Sequence, residues 1–191
     1  MNSPDPFALA AEIAAALDAA GIRYVISGSV ASMLYGHVRT TDDLDVVIYP
    51  DEQRVRQLVR GLAADYYVDE DDAAEAVRRG TSFSAIHLQT MVRVDFFVAE
   101  RTREVRVQFE RRRVRLIRER EVAFYAPEDV LIRKLIWFRL GGEVSDRQWN
   151  DVLGILRLAR EPLDYDYLAR AAADFNVSDL LQRAQEDAAS R

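Results

Sequence analysis

Asp43 and Asp45 stand two residues apart where a short, β-rich run begins, with the sequence DLDVVIY. In a strand, residues i and i+2 point to the same face, so this run predicts two carboxylates side by side on one face of a sheet. Leu44 and Val46 are then expected to point the other way, into a core. Two carboxylates so close repel each other unless a cation lies between them. Magnesium is the natural cation for oxygen ligands, and it keeps room for substrate phosphates.

A strand-to-helix turn precedes the aspartate pair. The run IRYVIS predicts a strand, Gly28 and Ser29 interrupt it, and a short helix is predicted from Val30 to Tyr35. Backbone N–H groups at such a helix start are unpaired and favour phosphate, and glycine lets the backbone approach a ligand closely. The alternative is that Ser27 or Ser29 is simply a helix N-cap.

A third acid, Asp95, interrupts the apolar stretch VRVDFFV. An aspartate in such a strand is costly unless it is paired or bound to a metal. The alternative to a metal is a salt bridge with Arg93 or another arginine. Residues 82–88 and 92–98 are predicted to form a hairpin, and if that hairpin lies beside the aspartate pair, three carboxylates converge. Such a cluster suits two-metal phosphoryl or nucleotidyl transfer.

The order of predicted elements indicates an α/β (α+β) fold with a helical extension. Helices and strands alternate up to about residue 125. Pro127 then begins an acidic first turn typical of a helix start, and only helices are predicted after it. We therefore predict an α/β core over residues 1–125 and a helical region over residues 126–191 that packs on the core.

Composition narrows the function classes. The chain of 191 residues has no cysteine, which excludes disulfides and thiol nucleophiles and fits the cytoplasm. No apolar run approaches the roughly 20 residues of a membrane span. The net charge is −6, yet the stretch Arg101–Arg120 is dense in arginine. That stretch is either a solvated strand-and-helix face or a basic patch for a polyanion.

The string SGSVASMLYGHVRTTDDLDVVI resembles the signature of the polymerase-β-like nucleotidyltransferase superfamily. That signature has an apolar residue, Gly-Gly or Gly-Ser, a gap of about a dozen residues, Asp-apolar-Asp, and a third acid on a later strand. The segment from Arg39 to Asp45 resembles the R-x-T-x-D-x-D form of bacterial members close to the AbiEii toxin group. Lys134 and Asp151 resemble that group's C-terminal helical motifs.

The resemblance implies a nucleotidyltransferase fold, with a mixed sheet flanked by helices, and a role for each motif. Asp43, Asp45 and Asp95 would hold Mg²⁺, with Mn²⁺ as the alternative ion. Gly28 and Ser29 would hold the outer phosphates of a nucleoside triphosphate.

Two cations, Arg39 and Lys134, would then neutralise charge on the leaving pyrophosphate. From the residues alone, Arg39 could equally be an ion-pair partner of Asp42 or Asp43. Lys134, the only lysine in the chain, could equally be a helix residue whose charge reaches solvent. We expect Lys134→Ala to weaken triphosphate binding with little loss of stability.

The expected activity is transfer of a nucleoside monophosphate to a hydroxyl on an RNA 3′ end, a protein or a small molecule. The likeness to the AbiEii group favours RNA or protein, in a toxin–antitoxin or phage-defence setting with a cognate partner. The alternative is a catalytically weak nucleotide-binding or antitoxin-like subunit that regulates a protein partner.

Overall fold

The computed structural model describes residues 5–36, 41–159 and 161–190. The chain divides into two compact units. The first contains residues 5–30 and 41–124 of the described chain, and the second contains residues 31–36, 125–159 and 161–190. The second unit therefore takes in most of an early helix as well as the C-terminal region.

Within the described residues, the first unit holds one seven-stranded mixed sheet of order β3-β4-β5-β2-β1-β7-β6. Its strands are β1 (Arg23–Ile26), β2 (Asp43–Tyr49), β3 (Tyr66–Tyr67), β4 (Ser82–His87), β5 (Arg93–Val98), β6 (Arg113–Ile117) and β7 (Arg120–Phe124). Strand β2 runs antiparallel to β1 and parallel to β5, and the predicted β4–β5 hairpin is confirmed. The mixed α/β class is confirmed as well.

Within the described residues, the first unit contains four whole helices, each beginning at a side-chain N-cap, and the start of a fifth. They are α1 (Pro6–Ala19), the start of α2 (Gly28–Tyr35), α3 (Glu52–Leu62), α4 (Glu70–Arg79) and α5 (Arg103–Glu110). The N-cap carboxylates of α1 and α3 accept from backbone N–H groups at 3.0 Å (Asp5 to Phe7) and 2.9 Å (Asp51 to Arg54). Each such cap contributes about 1 kcal/mol.

Strand β2 alternates strictly between its two faces. Leu44, Val46 and Ile48 are 0% exposed, whereas the residues between them are partly exposed. Burial of each such apolar side chain contributes about 1.5–3 kcal/mol, so the register is strongly fixed. The apolar face fixes, in turn, the direction of the two aspartates.

The second unit is helical. It holds the rest of α2 together with α6 (Pro127–Leu140), α7 (Asp146–Leu158), α8 (Tyr165–Asp174) and α9 (Ser178–Ala189). Its core contains acids as well as apolar residues: Glu128 accepts from the Asp164 backbone N–H at 2.9 Å, and Asp129 accepts from the Tyr167 hydroxyl at 2.5 Å. Within the described residues, no helix is long and apolar enough to cross a membrane.

Candidate functional site

Strand pairing places the three candidate acids on one face of the sheet. In the parallel β2–β5 pair, Asp45 lies opposite Asp95, and Asp43 lies opposite Arg93. Directly paired residues share a face, and so do residues two apart on one strand. Asp43, Asp45 and Asp95 therefore share the partly exposed face, opposite the buried face of Leu44. The motif defines only Asp43 and Asp45 as neighbours, and the long-range pairing adds Asp95.

Hydroxyl groups and one guanidinium engage two of the carboxylates. The Thr41 hydroxyl donates to Asp43 Oδ1 at 2.6 Å, and the Ser84 hydroxyl donates to Asp95 Oδ1 at 2.6 Å. Arg93 forms an ion pair with Asp95 Oδ2 at 3.0 Å. Thr41 is the threonine of the R-x-T-x-D-x-D motif, to which the sequence assigned no separate role, and Ser84 was not singled out in the sequence. Ser84 lies opposite Asp95 in the antiparallel β4–β5 register, so only strand pairing could have identified it.

The donor chemistry and the common face fit a divalent cation, but the side chains as they stand do not enclose one. Among the residues that the structure describes, no group of three or more His, Cys, Asp or Glu side chains could hold a metal ion. The carboxylates of Asp43 and Asp95 are turned toward Thr41, Ser84 and Arg93. A cation bound here would have to replace the Arg93 guanidinium at Asp95 Oδ2, whereas the two hydroxyls can stay, because a carboxylate has about four lone-pair sites.

Gly28 lies directly against the Asp45 carboxylate. A Cβ atom at Gly28 would stand 1.7 Å from Asp45 Oδ2, and the backbone has φ +57°. Only glycine fits both conditions. The Ser27 N–H also donates to the Asp45 backbone carbonyl at 2.9 Å, which joins the turn to β2. The strand-to-helix turn and the aspartate pair are therefore one structural element, with Ser29 nearly buried at the helix start.

Of the two predicted cations, Lys134 lies within the described residues and Arg39 does not. Lys134 lies on α6, in the second unit, and is 5% exposed; its ammonium donates to Asp151 Oδ2 at 2.7 Å. The structure thus brings together the two residues of the C-terminal motifs.

The whole fold is similar to solved nucleotidyltransferases. An antigenic nucleotidyltransferase-like protein from Paracoccidioides brasiliensis is 20% identical, with a TM-score of 0.57 over 97% of this chain and 94% of that chain. The antibiotic-resistance factor ANT(2'')-Ia is 18% identical, with a TM-score of 0.58 over 95% and 96%. The lincomycin-bound lincosamide adenylyltransferase LnuA is 13% identical, with a TM-score of 0.55 over 82% and 98%. At these identities the likeness defines the fold, which is the nucleotidyltransferase fold.

The chain belongs to the family described as "Nucleotidyltransferase of unknown function (DUF6036)", which matches residues 7–186. No curated protein matches the sequence significantly. The predicted membership of the polymerase-β-like nucleotidyltransferases is confirmed, and so is the enzyme class. The closer relation to the AbiEii group is tested by none of these comparisons and stays a prediction.

Proposed function

We propose that this protein transfers a nucleoside monophosphate from a nucleoside triphosphate to a hydroxyl acceptor, at the face that carries Asp43, Asp45 and Asp95. The observation that carries this proposal is the Asp45–Asp95 pairing beside the glycine turn at Gly28. In the reaction, the acceptor hydroxyl releases its proton to water and its oxygen forms a bond to the α-phosphorus. The bond from that phosphorus to the bridging oxygen breaks, and pyrophosphate leaves.

Each part of the turn and the sheet has a task in this proposal. Asp43, Asp45 and Asp95 hold a divalent cation, Mg²⁺ or Mn²⁺, which when bound would offset charge on the phosphates. The backbone at Gly28 and Ser29, at the start of α2, holds the outer phosphates. Thr41 and Ser84 orient the carboxylates of Asp43 and Asp95, to which they donate hydrogen bonds.

Lys134 and Arg39 are proposed to neutralise the leaving pyrophosphate. Because Lys134 is buried with Asp151, its removal alone leaves a buried carboxylate without its ammonium partner. The test is therefore the double variant Lys134→Met with Asp151→Leu, which removes both charges and keeps apolar volume. We expect its triphosphate affinity to fall at least tenfold, about 1.4 kcal/mol, in a folded protein. Unchanged affinity would remove Lys134 from nucleotide binding.

The acceptor is a hydroxyl on an RNA 3′ end, a protein or a small molecule. Two of the similar folds belong to an antibiotic adenylyltransferase and an antibiotic-resistance factor, which supports a small-molecule acceptor. The resemblance to the AbiEii group supports RNA or protein, and a toxin–antitoxin setting.

The activity test uses labelled ATP, GTP, CTP and UTP with Mg²⁺ or Mn²⁺. Three acceptor pools are compared: total RNA, total protein and a set of hydroxyl compounds including lincomycin and tobramycin. We expect label in one pool, with at least a hundredfold loss in Asp45→Asn and Asp95→Asn. Asp65→Asn, an exposed acid outside the cluster, is the matched control and keeps full activity.

A second candidate function is regulation of a protein partner by a catalytically weak nucleotide-binding subunit. It is favoured by the engagement of both Asp95 oxygens, by Ser84 and by Arg93. In that case the protein binds triphosphate, as measured by calorimetry, yet transfers label to none of the three pools. Label transfer that depends on Asp45 and Asp95 would exclude this second function.

A further inference from the structure

A basic hairpin lies at one end of the sheet. We use the name basic hairpin for β6, β7 and the two residues between them, Arg118 and Glu119. It carries four arginines and two glutamates, in a chain whose net charge is −6. The proposed transfer activity gives these arginines no task.

Strand β6 is the terminal strand of the sheet order, so within the described residues no strand pairs with its outer edge. Its apolar side chains are not covered either: Val114 is 45% exposed and Leu116 is 71% exposed. An exposed edge with unpaired N–H and C=O groups is a template for a further strand. Arginines on an edge strand disfavour pairing with another chain, but the exposed Val114 and Leu116 side chains favour it.

The hairpin geometry identifies which backbone groups point outward. Arg118 and Glu119 have φ of +46° and +66°, as a two-residue type I′ turn requires. Ile117 and Arg120 flank this turn and form the hydrogen-bonded pair that closes it. Because hydrogen-bonded and non-hydrogen-bonded pairs alternate, the N–H and C=O groups of Val114 and Leu116 point away from β7. Consistent with an outward Val114 carbonyl, the Arg115 guanidinium donates a hydrogen bond to that carbonyl at 3.3 Å.

The side chains of β6 alternate in chemistry as well as in direction. Arg113 and Arg115 lie on one face, and Val114 and Leu116 lie on the other. Val114 lines a cavity of about 320 Å³, together with the aromatic residues Tyr24 and Phe109, and with two arginines and two acids, Arg23, Arg112, Asp18 and Glu121. The edge therefore offers two outward backbone positions, a basic face, an apolar face and a recess large enough for a side chain.

We propose that β6 is a docking strand for an extended segment of a protein partner in which acidic and apolar residues alternate. The segment adds as an eighth strand, with backbone hydrogen bonds to Val114 and Leu116. Its acids face Arg113 and Arg115, and its apolar side chains cover Val114 and Leu116.

Two other occupants fit less well. A nucleic acid would use the arginines but would leave the apolar residues and the backbone edge without a role. The one aromatic side chain of the basic hairpin, Phe124, is 0% exposed and offers no base-stacking surface. A second copy paired edge to edge would bring like charges on the two β6 strands close together.

The binding test uses a fluorescent, end-capped octapeptide of alternating Glu and Val, titrated with the full-length protein and followed by anisotropy. Three probes are compared with it: the same peptide N-methylated at alternate residues, the Lys-for-Glu version, and a single-stranded oligouridylate. We expect saturable binding of the Glu-Val peptide. N-methylation should weaken it at least tenfold, and the Lys version should not bind.

Leu116→Glu on the protein side should also weaken binding at least tenfold, because it places a carboxylate on the apolar face. The exposed position Leu140→Glu, on α6, is the matched control and leaves affinity unchanged. Equal binding of the N-methylated and unmodified peptides would overturn the proposal, since it indicates charge attraction alone. Tighter binding of the oligouridylate, or no binding of the Glu-Val peptide, would overturn it as well. Label transfer is measured in the same preparations and does not depend on Leu116.

Discussion

Charged side chains have different environments in the two units of this molecule: like charges near solvent in the first, and a buried pair of opposite charges in the second. In the first unit, Asp43, Asp45 and Asp95 lie on the partly exposed face of the sheet, on neighbouring strands. In the second unit, Lys134 and Asp151 are 5% and 6% exposed and neutralise each other at 2.7 Å. A carboxylate cluster of one sign near solvent is suited to take up a cation, whereas the loss of one member of a buried pair of opposite sign affects folding first.

Removal of one partner from the buried pair should have the largest effect on stability. We expect Lys134→Ala to lower the free energy of unfolding by about 3–5 kcal/mol, because it removes the ammonium partner of the buried Asp151 carboxylate. This replaces the sequence-based expectation of little loss of stability. The double variant Lys134→Met with Asp151→Leu should recover most of the loss in urea denaturation. A loss below 1 kcal/mol for Lys134→Ala would show that the pair is well solvated.

Gly28→Ala should be the next most damaging change, and it tests how tightly the turn is held against the aspartates. The added Cβ would overlap Asp45 Oδ2, and alanine is strained at φ +57°. We expect a loss of about 3 kcal/mol from strain and overpacking together. Gly61→Ala is the matched control, since no atom lies within 4 Å of a Cβ there and the residue is inside α3. It should be neutral or slightly stabilising in the same urea titration.

Alkaline pH should destabilise both units through buried tyrosines, since burial also raises the pKa of Tyr66 in the first unit. Burial raises the pKa of Tyr24 in the first unit, and of Tyr125 in the second, from 10.0 to about 12. Since the folded pKa is above the unfolded value, this contribution is fully present below pH 10 and is lost as pH rises toward 12. Each tyrosine should account for about 2–3 kcal/mol of that loss. In unfolding measurements across this window, Tyr24→Phe should flatten the pH dependence by about a third, because Tyr66 and Tyr125 keep their contributions. An unchanged slope would contradict the assignment.

Metal binding should have the smallest effect on stability. It tests directly whether the three carboxylates of the first unit take up a cation. If the three aspartates take up Mg²⁺, 10 mM of the ion should raise Tm by a few degrees, for about 1–1.5 kcal/mol of linkage. Asp45→Asn should abolish that rise and slightly raise Tm without metal, because it removes one of the repelling charges. Asp65→Asn should behave as wild type. Equal Mg²⁺ shifts in all three proteins would place the metal outside the cluster.

Local features of the chain were predictable because they depend on neighbours in sequence. Pro127 was expected to begin a helix and begins α6, and Asp51, an acid directly before α3, is its N-cap. The alternation of DLDVVIY fixed which residues of β2 are buried. Helix α5 was not delimited, because the arginines of the stretch 101–120 obscure its pattern. The turn at Arg118 and Glu119 was not predicted either, since neither residue is the glycine or asparagine usual at positive φ.

The acid pair, the glycine turn and the class of fold could be read from short segments, because period-two alternation and backbone freedom act over a few residues. Which distant residues join them depends on long-range strand pairing and helix packing. The parallel pairing of β2 with β5 sets Asp95 opposite Asp45 across 50 residues of chain, and the antiparallel pairing of β4 sets Ser84 beside Asp95. The packing of α6 and α7 likewise joins Lys134 to Asp151. The physical reason is that strand register and helix packing are set by burial of the whole apolar surface, which no short segment contains.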